Sequence, residues 1–241
     1  FVPIILRRPI WSHALSLVGF WGLAFFYPLQ GVHHFLGSPI PMFAQYSAVV
    51  STIAIEIVVA TVIINFYMTH RASNVSIKDN MALRWFWLGA LNYFITCFPC
   101  AWQVTLTFQQ IIHCTDWVGW HAHLVMFGVF SFWIFGMIDH LWPKLTGREW
   151  ASNKWRAWQF WLMGGGLWTM FLTLTGSGLA EGFMSLQLVP RETILETMRP
   201  FWILRSVSGV AIVVGFLCLA WNMIATARSS KREHIDTDYE P

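Results

Sequence analysis

Six long stretches of the chain are almost uninterrupted apolar sequence, separated by short polar segments. They fall at about Trp11–Leu36, Ala44–Met68, Leu83–Ile111, Trp117–Leu141, Trp155–Leu179 and Phe201–Thr226. A helix needs roughly 20 mostly apolar residues to cross a bilayer. Each stretch meets that length, so the pattern predicts an all-α polytopic membrane protein of six transmembrane helices. Nearly everything is span or short loop, with neither an internal repeat nor a low-complexity segment. Residues 1–241 are therefore expected to form a single transmembrane domain.

Composition sharpens this. Apolar residues make up 56% of 241 positions, charged residues 11%, and mean hydropathy is +0.53. A soluble domain carries about 25% charged residues. Sixteen Trp suit a bilayer, because indole rings favour its interfaces. The net charge of +3 is spread over separate loops, which excludes a nucleic-acid partner. The chain starts at Phe1 without a signal-peptide layout and reads as a processed or split subunit, or as part of a longer one.

Lys and Arg give a direction. Twelve of the fifteen lie at one set of loop ends: Arg7, Arg8, Arg71, Lys78, Arg84, Lys144, Arg148, Lys154, Arg156, Arg228, Lys231 and Arg232. Arg191, Arg199 and Arg205 lie at the other. The positive-inside bias puts the first set in the cytoplasm. The first span then runs outward, and the tail KREHIDTDYEP ends inside. Cys97 and Cys100 have the CxxC spacing of redox and zinc motifs. Inside a membrane helix, small apolar packing is the stronger reading.

Candidate chemistry rests on the histidines. Ionisable side chains are costly in lipid and usually have a partner. Of nine, His13, His70, His140 and His234 sit near cytoplasmic helix ends and need no special explanation. The first span carries His33-His34 toward its outer end, and the fourth opens with His121-Ala122-His123. Neighbouring residues on a helix diverge by about 100°, so an adjacent pair serves one metal when a third ligand joins it. The HxH spacing turns its side chains about 200° apart, to opposite flanks, where each can hold a different metal centre. All four fall at one depth, in the outer half of the membrane. Imidazole is the usual axial ligand of haem iron.

The run RPIWSHALSLVGFWGLAFFYPLQGVHH, followed by TDWVGWHAH, resembles the catalytic subunit of the cbb3-type cytochrome c oxidases. These are the C family of haem–copper oxidases, relatives of the nitric oxide reductases. The resemblance covers essentially the whole chain and corresponds to the last six of the family's twelve core helices. It implies two b-type haems, one high-spin and one low-spin, and one copper ion. His33 and His34 correspond to two copper ligands, His121 to the axial ligand of the high-spin haem, and His123 to an axial ligand of the low-spin haem. Tyr27 matches the active-site tyrosine, which in the family is joined covalently to a copper-ligating histidine. The resemblance also places the protein in a bacterial inner membrane, with its C-terminus cytoplasmic. As partners it implies an N-terminal half of the core supplying further His ligands, membrane-anchored cytochrome c subunits, and the surrounding lipid.

Several polar residues fit around that frame. Ser12 and Ser16 share a helix stripe with Tyr27 and form a candidate proton path from the inside. Their hydroxyls equally suit bonds back to their own helix, and Pro28 blurs the phase. His113, Asp116 and Arg205 stand at outer helix ends, within reach of haem propionates; Asp116 also suits a helix N-cap. The chain departs from the family in two places. ITCFPCAW has no carboxylate where the family has a Glu, and HAHLVMFG replaces HVHSGALG. Two other readings remain. A nitric oxide reductase keeps these His motifs with non-haem iron, but lacks the helix tyrosine. A non-catalytic haem-binding subunit has no need of all four His together with Tyr27.

Overall fold

The computed structural model describes residues 1–230. The tail from Lys231, with Arg232 and His234, lies outside the described residues. A short helix, α1 (Val2–Leu6), precedes α2 (His13–Gln30), which continues as a 3-10 turn over Gly31–Phe35. Ser12 caps α2 by accepting from the Leu15 amide. Helices α3 (Met42–Ala54) and α4 (Glu56–Arg71) run as one rod, Met42–Arg71, with a slight break at Ile55.

The third stretch is not the single helix the sequence predicts. It divides into α5 (Met81–Cys97), α6 (Cys100–Gln103) and α7 (Leu106–Ile112). Pro99 has no amide hydrogen and cannot continue the helix of α5. The fourth stretch is continuous from Asp116 to Thr146 but changes winding. It is α-helical in α8 (Asp116–His123), π-helical over Leu124–Ser131, and α-helical again in α9 (Phe132–Thr146). The Asn92 amide donates to the Gly128 carbonyl at 2.8 Å inside the π segment, drawing that carbonyl out of the α ladder. The long helices α10 (Asn153–Leu186) and α11 (Arg191–Arg228) complete the described chain.

Four of these rods are long and apolar enough to cross a membrane: His13–Phe35, Met42–Arg71, Asp116–Thr146 and Arg191–Arg228. The third stretch is broken into short pieces, while α10 is 34 residues long but diluted by glycine and polar residues. That dilution suits its place. α10 packs along α11 and α8 and buries Gln159, Thr173, Ser177 and Glu181. The protein is an integral membrane protein built from six helical rods.

Helices in lipid are held by close contact and hydrogen bonds, because the lipid is as apolar as their side chains. Gly178 and Gly182 provide the closest approach. A Cβ on Gly178 would stand 2.2 Å from the Trp117 amide nitrogen, and one on Gly182 2.0 Å from the Ile111 carbonyl. The turn between α7 and α8 thus lies directly on α10. An aromatic core of Trp85, Trp117, Trp120, Phe132 and Phe135 fills the centre. On the other side, α2 packs on α3 and α4 but leaves Phe20, Trp21, Phe25 and Tyr27 exposed.

Candidate metal and haem site

His33 and His34 lie on the 3-10 turn after α2, not on an α-helix as the sequence suggests. Pro28 weakens the end of α2, and Gly31 starts the tighter winding. In that turn the two rings converge, with centroids 4.4 Å apart. They line a cavity of about 250 Å³ together with His113 at its rim, His121 and Gln103. Four of the nine histidines therefore meet in one place. His113, expected at an outer helix end, lines the same cavity, next to the turn at Cys114 (φ 63°).

The HxH pair behaves as the helical phase requires. His121 faces the cavity, whereas His123, one residue beyond Ala122, is exposed on the opposite flank of α8. The His123 Nδ1 lies 2.7 Å from the Gly119 carbonyl. A carbonyl only accepts, so Nδ1 carries the proton and Nε2 keeps a free lone pair. His33 is fixed in the same way. The Thr52 hydroxyl gives its single proton to the Ala48 carbonyl at 2.7 Å, so it accepts from His33 Nδ1 at 2.9 Å. That bond again leaves Nε2 free, as metal-ligating histidines require.

His121 is held differently. Trp117 Nε1 donates to Gln103 Oε1 at 2.9 Å, which fixes the orientation of the amide. Gln103 Nε2 then donates to His121 Nδ1 at 3.2 Å and to Cys100 Sγ at 3.2 Å. For His121 to bind iron through Nε2, its ring proton must leave or the Gln103 amide must turn. Among the described residues, no group of three or more His, Cys, Asp and Glu is close enough to hold a metal ion. The described residues that line the cavity include imidazoles and no carboxylate. Such a nitrogen donor set suits copper and haem iron and fits calcium or magnesium poorly.

The remaining predicted residues separate into groups. Asp116 is not the N-cap of α8: Thr115 is, accepting from the Trp117 amide at 3.3 Å. The Asp116 carboxylate instead accepts from Ser177 on α10 and Trp202 on α11, each at 2.9 Å. Arg205 stands 4.0 Å from it with its side chain 42% exposed, so Asp116 tethers a guanidinium that still has donors free. Ser12 and Ser16 are joined by Asn65, whose amide nitrogen donates to Ser16 Oγ at 2.7 Å and to the Ser12 carbonyl at 2.8 Å. Ser16 also donates back to the Ser12 carbonyl at 3.2 Å, the local bond expected of a helical serine. Tyr27 is not drawn into this group; it is 62% exposed on the uncovered face of α2.

Sequence reasoning missed Thr52, Asn65 and Gln103. Each is a buried polar residue in an apolar stretch, a combination that itself signals a partner.

Comparison with known proteins shows the family. Residues 1–211 match the family described as cytochrome c and quinol oxidase polypeptide I. The chain is 27% identical to cytochrome c oxidase subunit 1 of Rhodobacter capsulatus over 94% of its own length and 44% of the relative. It is also 27% identical to a cbb3-type cytochrome c oxidase subunit of Stutzerimonas stutzeri, over 98% of itself and 52% of that protein. A nitric oxide reductase subunit from Stutzerimonas stutzeri aligns over a shorter part, 42% of this chain at 26% identity. Among solved structures, a haem–copper terminal oxidase dimer superposes with a TM-score of 0.75 at 19% identity, covering 92% of this chain and 43% of that one. The chain spans about half the length of the curated relatives it matches.

Proposed function

Since this chain belongs to the cytochrome c and quinol oxidase polypeptide I family, we propose that it is the C-terminal half of the catalytic core of a respiratory haem–copper oxidase. Its reaction is the reduction of oxygen to water, coupled to proton uptake across a bacterial inner membrane. The observation that carries this reading is the opposed pair on α8: His121 joins His33 and His34 on one cavity, and His123 faces the other flank.

In this reading His33 and His34 hold copper, His121 holds the iron of a high-spin haem b, and His123 one side of a low-spin haem b. These groups supply the electrons and the oxygen-binding position. The chain's own residues do the positioning. Thr52 fixes the tautomer of His33, and Gly119 fixes that of His123. Trp117, through Gln103, sets the plane of the His121 ring. Asp116 anchors Arg205 on α11 and His113 lines the histidine cavity, and each would offer donors to haem carboxylates. Ser12 and Ser16, bridged by Asn65, hold protons on the inner side; Tyr27, on the exposed face of α2, would supply a proton and an electron once the N-terminal half covers that face.

The N-terminal half of the core is the expected partner. It brings the third copper ligand and the second low-spin haem ligand, and it covers the aromatic face of α2. Cytochrome c subunits deliver electrons from the outer side, and the C-terminus is cytoplasmic.

The test is a reduced-plus-CO difference spectrum of the assembled complex, followed by metal analysis. A CO-binding haem with one copper per core is the expected result. Non-haem iron in place of copper would convert the reading to nitric oxide reduction. The absence of any CO-binding haem would leave only a non-catalytic subunit.

A further inference from the structure

A row of tryptophans starts beside His121. The Trp120 ring is centred 5.6 Å from the His121 ring, Trp117 lies 5.2 Å from Trp120, and Trp102 lies 6.1 Å from Trp117. Each step is within the range at which aromatic rings touch. Trp120 and Trp117 on α8 are buried, whereas Trp102 on α6 is 43% exposed. The row thus leads from the histidine cavity to the surface through indoles alone. A branch leaves Trp120 through Phe171 to Trp168, at 5.0 and 5.6 Å. Its middle member is a benzene ring, which is much harder to oxidise than an indole.

The N–H groups of the row differ in a way that packing alone does not explain. Trp120 Nε1 is buried with no hydrogen-bond partner among the described residues, although a buried indole usually finds one. Trp117 Nε1 donates to the Gln103 amide oxygen, which is neutral and no base. An indole that loses an electron becomes a cation and a strong acid. Neither Trp120 nor Trp117 has a base to take its proton, so each keeps it and its oxidation is reversible. A positive charge is costly in apolar surroundings, and that cost falls at exposed Trp102. There the proton leaves to water at the interface that indoles favour. Burial therefore gives the row a direction: an electron vacancy is least stable at Trp120 and most stable at Trp102.

We propose that Trp120, Trp117 and Trp102 are a hole-transfer chain that discharges an over-oxidised haem centre at His121 and so protects it. The proposal rests on the oxygen-reducing reading above. The oxidant is a peroxide. One electron passes from Trp120 to the haem group that peroxide has oxidised, Trp117 refills Trp120, and Trp102 refills Trp117. The net change is one electron gained by the haem group and one lost by Trp102, whose Nε1 proton goes to water. The neutral indole radical is left at the surface, where a hydrogen-atom donor in solution, such as ascorbate, restores it.

The test exposes the assembled, oxidised complex to hydrogen peroxide with a nitroso spin trap. Mass spectrometry of the tryptophan peptides and the haem absorbance are the readouts. In the wild type the trap should attach at Trp102. Trp120→Phe, which keeps a ring in the core, should lose that label, and its haem should bleach faster. Trp102→Phe leaves the core untouched and should also bleach faster, so the test stands where Trp120→Phe fails to assemble. Trp168→Phe, on the branch interrupted by Phe171, should match the wild type in both readouts. Wild-type labelling of Trp102 in Trp120→Phe, or wild-type bleaching in Trp102→Phe, overturns the proposal. So does labelling of Trp102 that cyanide at the haem does not suppress, because peroxide then acts from outside. A complex that binds CO but takes no label at Trp102 refutes the chain alone, whereas one that binds no CO refutes the oxidase reading and the chain with it.

Discussion

Gly178→Ala should be among the most damaging small substitutions in the chain, although it adds one methyl group to a helix. The new Cβ would stand 2.2 Å from the Trp117 amide nitrogen, 2.7 Å from its Cα and 2.8 Å from its Cβ. These are backbone atoms and the root of a side chain, so no rotamer change relieves the contact. Ordinary contact needs about 3.5–4.0 Å. The α7–α8 turn must therefore move away from α10 by more than 1 Å or so, or α10 must bend. Overpacking of this kind costs about 1–3 kcal/mol. The functional effect should be larger than the stability effect. Trp117 holds Gln103, which holds His121, and His121 lies one helical turn along from Trp117. A misplacement of about 1 Å at a positioned group costs about 10²-fold in rate. Thermal unfolding followed through the haem absorbance reads the first effect, and CO-recombination kinetics with turnover reads the second. Gly165→Ala is the control, because no described atom lies within 4 Å of its Cβ position. A Gly178→Ala complex with wild-type melting and wild-type turnover would refute the close packing on which this reasoning depends.

Other substitutions test the rest of the site. His123→Ala should remove the low-spin haem signal and His121→Ala the CO-binding signal; loss of one and the same spectral component in both variants would refute the two-flank arrangement. Thr52→Val removes the acceptor that fixes His33, and copper content by metal analysis should drop about tenfold or more, as for other supporting-shell losses. Asn65→Leu unties Ser16 from α4 and should slow turnover while leaving both haem spectra intact, and a changed haem spectrum would place Asn65 in a structural role instead.

How much of this was readable from sequence depends on the range of the interaction. The six spans and the opposed faces of His121 and His123 follow from local rules, namely the length of apolar runs and the 3.6-residue period. The structure keeps six helical rods, four of them long and apolar enough to cross a membrane and the third broken into short pieces, and it keeps the opposed histidines. The interruptions were half legible. Pro99 announces the end of α5, but the π-helical stretch after His123 depends on Asn92, which is 36 residues away from the carbonyl it binds. The 3-10 winding of His33 and His34 has its cause in Pro28 and Gly31, yet the convergence of their rings appears only in three dimensions. Thr52, Asn65 and Gln103 act through partners on other helices, and nothing in a single sequence says which helices touch. Asp116 illustrates the limit. Its place at the start of α8 suggests a cap, but Thr115 fills that role and frees the carboxylate for α10 and α11.

On the proposed assignment, the supporting bonds let the His motifs keep their role in a neighbourhood that differs from the family pattern. An imidazole ligand needs a defined tautomer and a defined ring plane, and it is indifferent to which residue imposes them. Here a threonine hydroxyl does this for His33, a backbone carbonyl for His123, and an amide locked by an indole for His121. The first two leave Nε2 free as they stand. The third presents a donor to Nδ1, so on the proposed assignment metal binding at His121 needs a rearrangement that His33 and His123 do not need. Either the ring proton leaves or Gln103 turns, its carbonyl and its amide hydrogens differing only by rotation about one bond. That turn would give His121 Nδ1–H an acceptor and would release the Trp117 indole. The α7–α8 turn, pressed against Gly178 and Gly182, is therefore where the metal-free and metal-bound forms should differ most.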